Sequence, residues 1–185
     1  MGRLVIHGGR WRSRAISFID DTSVRPTPVR LRETLFNWLG QDLSGLQCLD
    51  LFAGSGILAF EALSRGAAGA AFVDNDPRAI IGVHRAVVDL QTENNTKIFR
   101  RDATSFLRSF KDSSLHYDIV FLDPPFGMDS LLLDSILLLE KKLIFGSVVY
   151  VESPISVCLS NVWHLLKRKK VASVFGSLWR LGCRG

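Results

Sequence analysis

The octapeptide IVFLDPPF at residues 119–126 joins an apolar run to a carboxylate, two prolines and an aromatic ring. Because proline lacks an N–H group and fixes φ, Pro124 and Pro125 must end the β-strand that the apolar run predicts. The turn that follows holds a hydrogen-bond acceptor, Asp123, and an aromatic face, Phe126, in a rigid frame. An ordinary strand end followed by a turn would explain one proline, but it explains two prolines beside Asp and Phe poorly.

The tetrapeptide at residues 123–126 resembles the (Asn/Asp/Ser)-Pro-Pro-(Tyr/Phe) motif of methyltransferases that modify exocyclic amino groups. An exocyclic base nitrogen is conjugated and poorly nucleophilic, so it needs acceptors that localise its lone pair. The resemblance implies that Asp123 and the Pro124 carbonyl accept the N–H groups of the base while Pro125 stiffens the turn. Phe126 would stack on the extruded base, a contact that contributes about 1–3 kcal/mol.

A glycine-rich loop at residues 50–56, DLFAGSG, follows a second apolar run and precedes a helical pattern. Glycines there let the backbone approach a ligand, and the N–H groups of a helix start favour negative charge. Residues 54–59 fit the dinucleotide pattern G-x-G-x-x-A, and Asp74 lies 20 residues after Gly54, where a ribose-binding acid is expected. An NAD-dependent oxidoreductase is therefore an alternative interpretation, as is a tight turn without a ligand.

Acidic residues follow four of the predicted strands, namely Asp50, Asp74, Asp102 and Asp123. The carboxyl ends of parallel strands meet at one edge of a sheet, where such folds bind ligands. A pyrophosphate requires a loop without negative charge, whereas an acid at the loop entrance suits a ligand with an ammonium group. The four acids therefore favour a cationic nucleoside ligand, S-adenosylmethionine, over NAD.

Strand and helix patterns alternate along the chain from residue 46. Short apolar runs predict strands at residues 46–52, 69–74, 96–100, 117–123 and 147–152. Helical patterns begin at Ile57 and recur over residues 77–90, 103–110 and 130–142. The last two runs, at residues 162–172 and 174–181, predict an antiparallel pair at one edge of the sheet. This alternation indicates an α/β fold with a mostly parallel sheet.

The N-terminal segment carries the excess positive charge of the chain. Residues 1–32 hold seven arginines and two acidic residues, whereas the other 153 residues hold 16 basic and 16 acidic side chains. The planar guanidinium of arginine suits phosphate, so the segment indicates a nucleic-acid partner, with a solvated basic face as the alternative. The candidate RNA-binding residues are Arg10, Arg12, Arg14, Arg25, Arg30 and Arg32.

Composition and patterning predict one compact unit with an N-terminal extension. Residues 3–7 and 15–19 predict a hairpin, and Thr27 as N-cap with Pro28 in the first turn predicts a helix. We expect residues 1–45 to pack as an extension on a domain of residues 46–185. Three cysteines without metal-ligand spacing, and no apolar tract long enough to span a bilayer, predict a cytoplasmic protein without a metal site.

Taken together, the motifs resemble those of the RsmD family, the bacterial 16S rRNA guanine-N2 methyltransferases. The matching segments are RPT at residues 25–27, RETLFNWL at 32–39, DLFAGSG at 50–56, EALSRG at 61–66 and FLDPPF at 121–126. The opening Gly8-Gly9, followed by Arg12 and Arg14, is also similar. Two positions depart from the family pattern: Val29 stands where an Asp is usual, and Asp74 replaces a more usual Glu.

The resemblance implies a Rossmann-like class I fold, with a seven-stranded sheet whose last strand is antiparallel. It implies methylation of one guanine N2 in 16S rRNA, within the assembled small ribosomal subunit, by a monomer whose N-terminal extension helps hold the rRNA. A methyltransferase acting on a DNA base and a non-catalytic RNA-binding module stay as alternatives. The residues implied to bind S-adenosylmethionine are Asp50, Phe52, Ala53, Gly54, Ser55, Gly56, Asp74, Asn75, Asp102, Ala103 and Asp123.

Overall fold

A computed structural model describes residues 2–18, 29–125 and 127–182 of the protein. The strands are β1 Gly2–Val5, β2 Ala15–Phe18, β3 Gln47–Asp50, β4 Gly69–Asp74, β5 Thr96–Arg100, β6 Ile119–Leu122, β7 Val148–Ser153, β8 Trp163–Val171 and β9 Val174–Leu181. The α-helices are α1 Val29–Leu39, α2 Ile57–Ser64, α3 Pro77–Leu90, α4 Ala103–Arg108 and α5 Asp129–Lys142.

Seven of the described strands form one sheet in the order β5-β4-β3-β6-β7-β9-β8. The five strands from β5 to β7 run parallel, whereas β9 runs antiparallel to both of its neighbours. The predicted seven-stranded sheet with an antiparallel last strand is therefore confirmed. The predicted pair at the sheet edge is also confirmed, because β8 and β9 pair and β8 is the outermost strand.

Helices cover both faces of the sheet and bury it. One apolar cluster packs α1, α2 and α3 against one face, and every residue of α2 is buried. A second cluster packs α4 and α5 against the opposite face. Because both faces are covered, β6 is buried along its whole length and can be a continuous apolar run. The two clusters together hold the ends of β3, β4 and β6 in fixed positions.

Local sequence signals set the ends of several helices. Asp76 is the N-cap of α3, where its side chain accepts a hydrogen bond from the Arg78 N–H at 2.8 Å, and Pro77 occupies the first turn. These signals explain why the predicted bounds of α3, residues 77–90, match the structure. No helix among the described residues is long and apolar enough to cross a membrane.

The N-terminal hairpin of β1 and β2 packs against α2 through hydrogen bonds. The Trp11 N–H donates to Ser64 Oγ at 2.9 Å, and the His7 N–H donates to Glu61 Oε2 at 2.9 Å. Ile6, Trp11 and Ile16 belong to the same apolar cluster as α2. The hairpin was predicted, whereas the division of the chain at residue 45 stays a prediction. The predicted helix start at Thr27 and Pro28 lies outside the described residues.

Candidate active site at the carboxyl edge of the sheet

Three of the predicted acidic residues lie together at the carboxyl edge of the parallel strands. Asp50 and Asp74 are the last residues of β3 and β4, and Asp123 directly follows β6. Asp50 pairs in register with Phe121, so Asp123 lies two residues further along the neighbouring strand and on the same face. The sheet therefore brings the glycine-rich loop and the Asp-Pro-Pro turn to adjacent positions.

Asp50 is a buried carboxyl group in an acidic environment. Only 2% of the residue is exposed. Burial, and then the negative charges of Asp123 and Asp74, raise the pKa of Asp50 to about 8, although the N–H groups of Ala59 and Phe52 donate hydrogen bonds to it. A cationic ligand beside this carboxyl would relieve the repulsion, whereas a pyrophosphate would increase it.

Asp74 holds the glycine-rich loop through its carboxylate. Its Oδ2 accepts a hydrogen bond from the Gly54 N–H at 2.8 Å, and its Oδ1 accepts one from the Asp76 N–H at 2.8 Å. One acidic side chain thus joins the loop to the start of α3. Asn75, between these two acids in the sequence, is exposed at the same edge.

Glycine is required at two positions of the loop, Gly54 and Gly56, for different structural reasons. Both have positive φ, 50° at Gly54 and 75° at Gly56. A Cβ on Gly56 would lie 2.8 Å from the Phe60 ring, so close packing excludes a side chain there. A Cβ on Gly54 would meet nothing within 4 Å, so the backbone at Gly54 faces open space. The loop therefore has room for a ligand beside Gly54 and a packed core behind Gly56.

The other predicted residues of the loop flank this open space. Phe52 and Ser55 are partly exposed, and Ala53 is buried, with its N–H donating to the Val73 carbonyl at 2.9 Å. This hydrogen bond joins the loop to β4. A small buried residue and two partly exposed ones are consistent with a loop that lines a ligand site.

Asp102 is the N-cap residue before α4, at the predicted adenine end of the site. Its Oδ1 accepts hydrogen bonds from the Ser105 N–H at 2.8 Å and from Thr104 Oγ1 at 2.9 Å. The hydrogen bonds from Ser105 are the main cause that lowers the pKa of Asp102 to about 2. The structure therefore assigns Asp102 an N-cap role, and buried Ala103 is the first residue of α4. Their contact with an adenine stays a prediction.

The Asp-Pro-Pro turn lines a concave site that is open to solvent. Phe126, the fourth residue of the motif, lies outside the described residues. The lining extends beyond the motif to the end of β7 and the start of β9. It includes Asp123, Pro124, Pro125, Met128, Glu152 and Val174.

Glu152 is a residue of this site to which the sequence analysis gave no role. It is 4% exposed, and Tyr150 Oη donates a hydrogen bond of 2.9 Å to its Oε1. The sequence held a signal that could have identified Glu152, because this acid is the last residue of the predicted strand at 147–152. It is a fifth acid at a strand end, beside the four that the sequence analysis used.

Comparisons with known proteins agree with this geometry. A family model described as "Conserved hypothetical protein 95" matches residues 4–180. Ribosomal RNA small subunit methyltransferase D of Escherichia coli strain K12 is 38% identical over 189 residues, which cover 100% of this chain and 93% of that protein. The chain belongs to the RsmD family. The family predicted from the motifs is confirmed. Because its named members are methyltransferases, the comparisons argue against the alternative that this chain is an NAD-dependent oxidoreductase.

Solved structures share the fold of this RsmD-family chain. The yhhF protein of Escherichia coli is 36% identical with a TM-score of 0.87, covering 99% of this chain and 100% of that one. An RNA methyltransferase from Salinibacter ruber, solved in complex with S-adenosyl-L-homocysteine, has a TM-score of 0.64 at 15% identity, covering 85% of this chain and 94% of that one. Together with the strand order, these likenesses confirm the predicted Rossmann-like class I methyltransferase fold.

The predicted RNA-binding arginines occupy different environments in this RsmD-family chain. Arg10, Arg12 and Arg14 are exposed in and next to the N-terminal hairpin, and the Arg10 guanidinium lies 4.1 Å from the centre of the Trp11 ring. Arg30 is exposed at the start of α1. Arg25 lies outside the described residues.

Arg32 differs from these arginines because it is buried. It is 2% exposed, and its Nη2 donates a hydrogen bond of 2.8 Å to the Val5 carbonyl. A guanidinium that binds the backbone inside the protein is poorly placed to contact phosphate. Its burial goes against the RNA-binding role predicted for Arg32. Among the described residues, no group of three or more His, Cys, Asp or Glu side chains could hold a metal ion.

Proposed function

We propose that the protein transfers a methyl group from S-adenosylmethionine to the exocyclic N2 of one guanine in 16S rRNA, within the assembled small ribosomal subunit. The observation that carries the proposal is the position of Asp50 and the Gly54 loop next to the Asp-Pro-Pro turn on one sheet edge. The Escherichia coli relative is named for methylation of the small-subunit rRNA, which supports the same substrate here.

The acidic loop fits a cationic cofactor. The buried Asp50 carboxyl and the Gly54 backbone, which faces open space, suit the ammonium-bearing methionine end of S-adenosylmethionine. Asp74 would bind the ribose hydroxyls, and Asp102 with the Ala103 N–H would bind the adenine. When bound, the cofactor supplies an electrophilic methyl carbon. The Salinibacter ruber protein, which has this fold, holds the demethylated form of the cofactor.

The Asp-Pro-Pro turn would hold and activate the guanine amine. The Asp123 carboxylate and the Pro124 carbonyl accept its N–H groups, which concentrates the lone pair on N2. Each hydrogen bond to a charged group contributes about 1.5–3 kcal/mol, and the prolines keep the acceptors aimed before the base arrives. Phe126 would stack on the base and offset part of the cost of extruding it from the RNA.

The exposed arginines would bind the rRNA backbone around the target. Arg10, Arg12 and Arg30 are exposed in the N-terminal segment. Arg14 is also exposed, and its Nη2 already donates a hydrogen bond of 2.8 Å to the Asp89 carbonyl. We include Arg25 in the same role. Contacts of this kind position a protein on RNA without reading the base itself. An rRNA substrate also implies a cytoplasmic location, and we propose that the protein acts as a monomer.

The decisive experiment incubates the purified protein with labelled S-adenosylmethionine and small ribosomal subunits that lack the modification. Mass spectrometry then maps the methylated nucleotide. We expect methyl transfer to one guanine N2, and we expect Asp123→Ala to reduce transfer by at least about 10- to 100-fold even at saturating S-adenosylmethionine. Asp134→Ala, which removes an exposed carboxylate in α5, is the matched control and should leave transfer unchanged.

Other outcomes of this experiment would point to other functions. Full activity in Asp123→Ala would remove Asp123 from the mechanism. Binding of NAD(H) without binding of S-adenosylmethionine would favour the oxidoreductase. Binding of RNA by a protein with no affinity for the cofactor would favour a non-catalytic RNA-binding module.

A further inference from the structure

Glu152 lies beside the Asp-Pro-Pro turn on the same face of the sheet. Strands β6 and β7 are parallel, with Phe121 opposite Tyr150 and Leu122 opposite Val151. The next residues along the two strands are Asp123 and Glu152, and both line the concave site. Since side chains alternate between faces along a strand, Asp123 and Glu152 project to the same side.

The carboxylate of Glu152 is held in place by Tyr150. The Tyr150 side chain is fully buried, and its hydroxyl donates to Glu152 Oε1 at 2.9 Å. Gly176 lies opposite Glu152 on β9, and a Cβ there would lie 2.8 Å from Tyr150 Oη and 2.7 Å from Leu31 Cδ1. Strand β9 therefore has a glycine at the position where the Tyr150 hydroxyl needs space. Close packing fixes this hydroxyl, which orients the Glu152 carboxylate by its hydrogen bond.

A buried carboxylate at a substrate site is costly unless it has suitable hydrogen-bond donors. One carboxylate accepts about four hydrogen bonds, so the bond from Tyr150 is compatible with a further bond to a base. Guanine has an N1–H donor directly next to its N2 amine. Adenine and cytosine have a ring-nitrogen acceptor next to their amine, and its lone pair would face the carboxylate.

We propose that Glu152 determines specificity for guanine by accepting the N1–H of the base whose amine Asp123 and Pro124 hold. This inference rests on the proposed function and deepens it. Glu152 contacts the base next to the reacting amine, and Tyr150 is a positioning residue that acts through Glu152. A base with the same amine but without the N1–H should therefore be a poor substrate.

The test uses small subunits assembled on 16S rRNA in which the target guanosine is replaced by 2-aminopurine riboside. This base keeps the amine at C2, but its N1 is an acceptor and it has no O6, so the change in preference caused by Glu152→Gln, and not the wild-type preference alone, measures the contact with N1–H. We expect the wild-type protein to prefer guanine over 2-aminopurine in kcat/KM by about 10- to 100-fold, the range for one hydrogen bond to a charged group. In Glu152→Gln the preference should fall towards one, because the uncharged amide can present either a donor or an acceptor to N1.

Two controls separate recognition from a structural effect. Glu152→Gln should bind S-adenosylhomocysteine with wild-type affinity, since the change is at the base. Glu93→Gln makes the same substitution at an exposed position before β5 and should keep the wild-type preference. If Glu152→Gln does not fold, Tyr150→Phe is measured in its place. This variant removes the hydrogen bond that orients the Glu152 carboxylate, so it should also reduce the preference for guanine over 2-aminopurine.

The outcomes distinguish this inference from the proposed function. An active Glu152→Gln variant, or an active Tyr150→Phe variant in its place, with an unchanged preference for guanine over 2-aminopurine would overturn the role of Glu152 alone. Failure of the wild-type protein to methylate the guanine substrate would overturn the proposed function, and the role of Glu152 with it.

Discussion

The backbone N–H of Gly54 donates a hydrogen bond of 2.8 Å to Oδ2 of Asp74, which lies 20 residues further along the chain. The other oxygen of Asp74 accepts the Asp76 N–H. The acid that the sequence analysis assigned to the cofactor ribose thus also joins the loop to the start of α3. The two roles are compatible, because one carboxylate accepts about four hydrogen bonds.

Asp74→Ala should destabilise the protein even when no cofactor is present. The substitution leaves the partly buried N–H groups of Gly54 and Asp76 without their acceptor, and an unsatisfied donor costs about 1–3 kcal/mol. We expect the free energy of unfolding in urea to fall by an amount in this range. Asp134→Ala, at an exposed position of α5, is the control and should leave the free energy of unfolding unchanged. Unchanged stability of the cofactor-free Asp74→Ala variant would leave Asp74 with a ligand-binding role only.

Binding of S-adenosylmethionine should release a proton from Asp50 at pH 6.5. Burial and the charges of Asp123 and Asp74 raise the pKa of Asp50 to about 8. At pH 6.5 the Asp50 carboxyl is therefore mostly protonated in the free protein. A bound cation stabilises the ionised form and lowers this pKa, so affinity should rise from pH 6 to pH 7. Calorimetry in two buffers of different ionisation enthalpy measures the released proton, and Asp50→Asn should abolish the release. Equal proton release by the wild-type protein and the Asp50→Asn variant would mean that another group releases the proton.

Asp123→Asn and Asp123→Ala should differ in methyl transfer. The amide of asparagine keeps a carbonyl oxygen that accepts an N–H of the base, whereas alanine has no acceptor. Losing one hydrogen bond to a charged group costs about 1.5–3 kcal/mol, equivalent to about 10- to 100-fold in kcat/KM. We expect Asp123→Ala to lose at least this much activity and Asp123→Asn to lose less. Equal activity of the two variants in the methyl-transfer assay would argue that the residue at 123 does not act as an acceptor.

Much of the fold was predictable because local signals agreed with tertiary structure. The bounds of β4, β5 and α3 match the sequence patterns, since Pro77 and the Asp76 cap allow only one start for α3. The strand-end acids could be placed at one edge because parallel strands share a carboxyl edge. Phe126 lies outside the described residues, so its stacking role stays a prediction.

Burial of individual polar side chains was harder to predict, because it depends on contacts between distant segments. Glu152 is buried through β9 and the Tyr150 hydroxyl, which no local pattern encodes. Arg32 was grouped with the exposed arginines on charge alone. However, it precedes the buried Leu35 and Phe36 by three and four residues, so helical spacing places it on the buried side of α1.

Arg32→Ala should therefore reduce stability rather than RNA binding. The guanidinium bonds the Val5 carbonyl and is attracted by the charges of Glu61 and Glu33. Its removal leaves buried polar groups with fewer partners, and we expect the free energy of unfolding to fall by about 1–3 kcal/mol. Urea unfolding gives this value, and the salt dependence of RNA binding should stay at the wild-type slope. A reduced slope with normal stability would return Arg32 to the RNA-binding surface.

Arg12→Ala should show the opposite behaviour. Arg12 is exposed next to the N-terminal hairpin, so its removal should leave stability within about 0.5 kcal/mol of the wild-type value. If Arg12 contacts a phosphate, the slope of log affinity against log salt concentration should decrease in magnitude by about one. Filter binding to small ribosomal subunits between low and moderate salt measures the slope. Arg108→Ala removes an exposed arginine from the last turn of α4 and provides the control. Equal slopes for the Arg12 and Arg108 variants would mean that the hairpin arginines are only a solvated face.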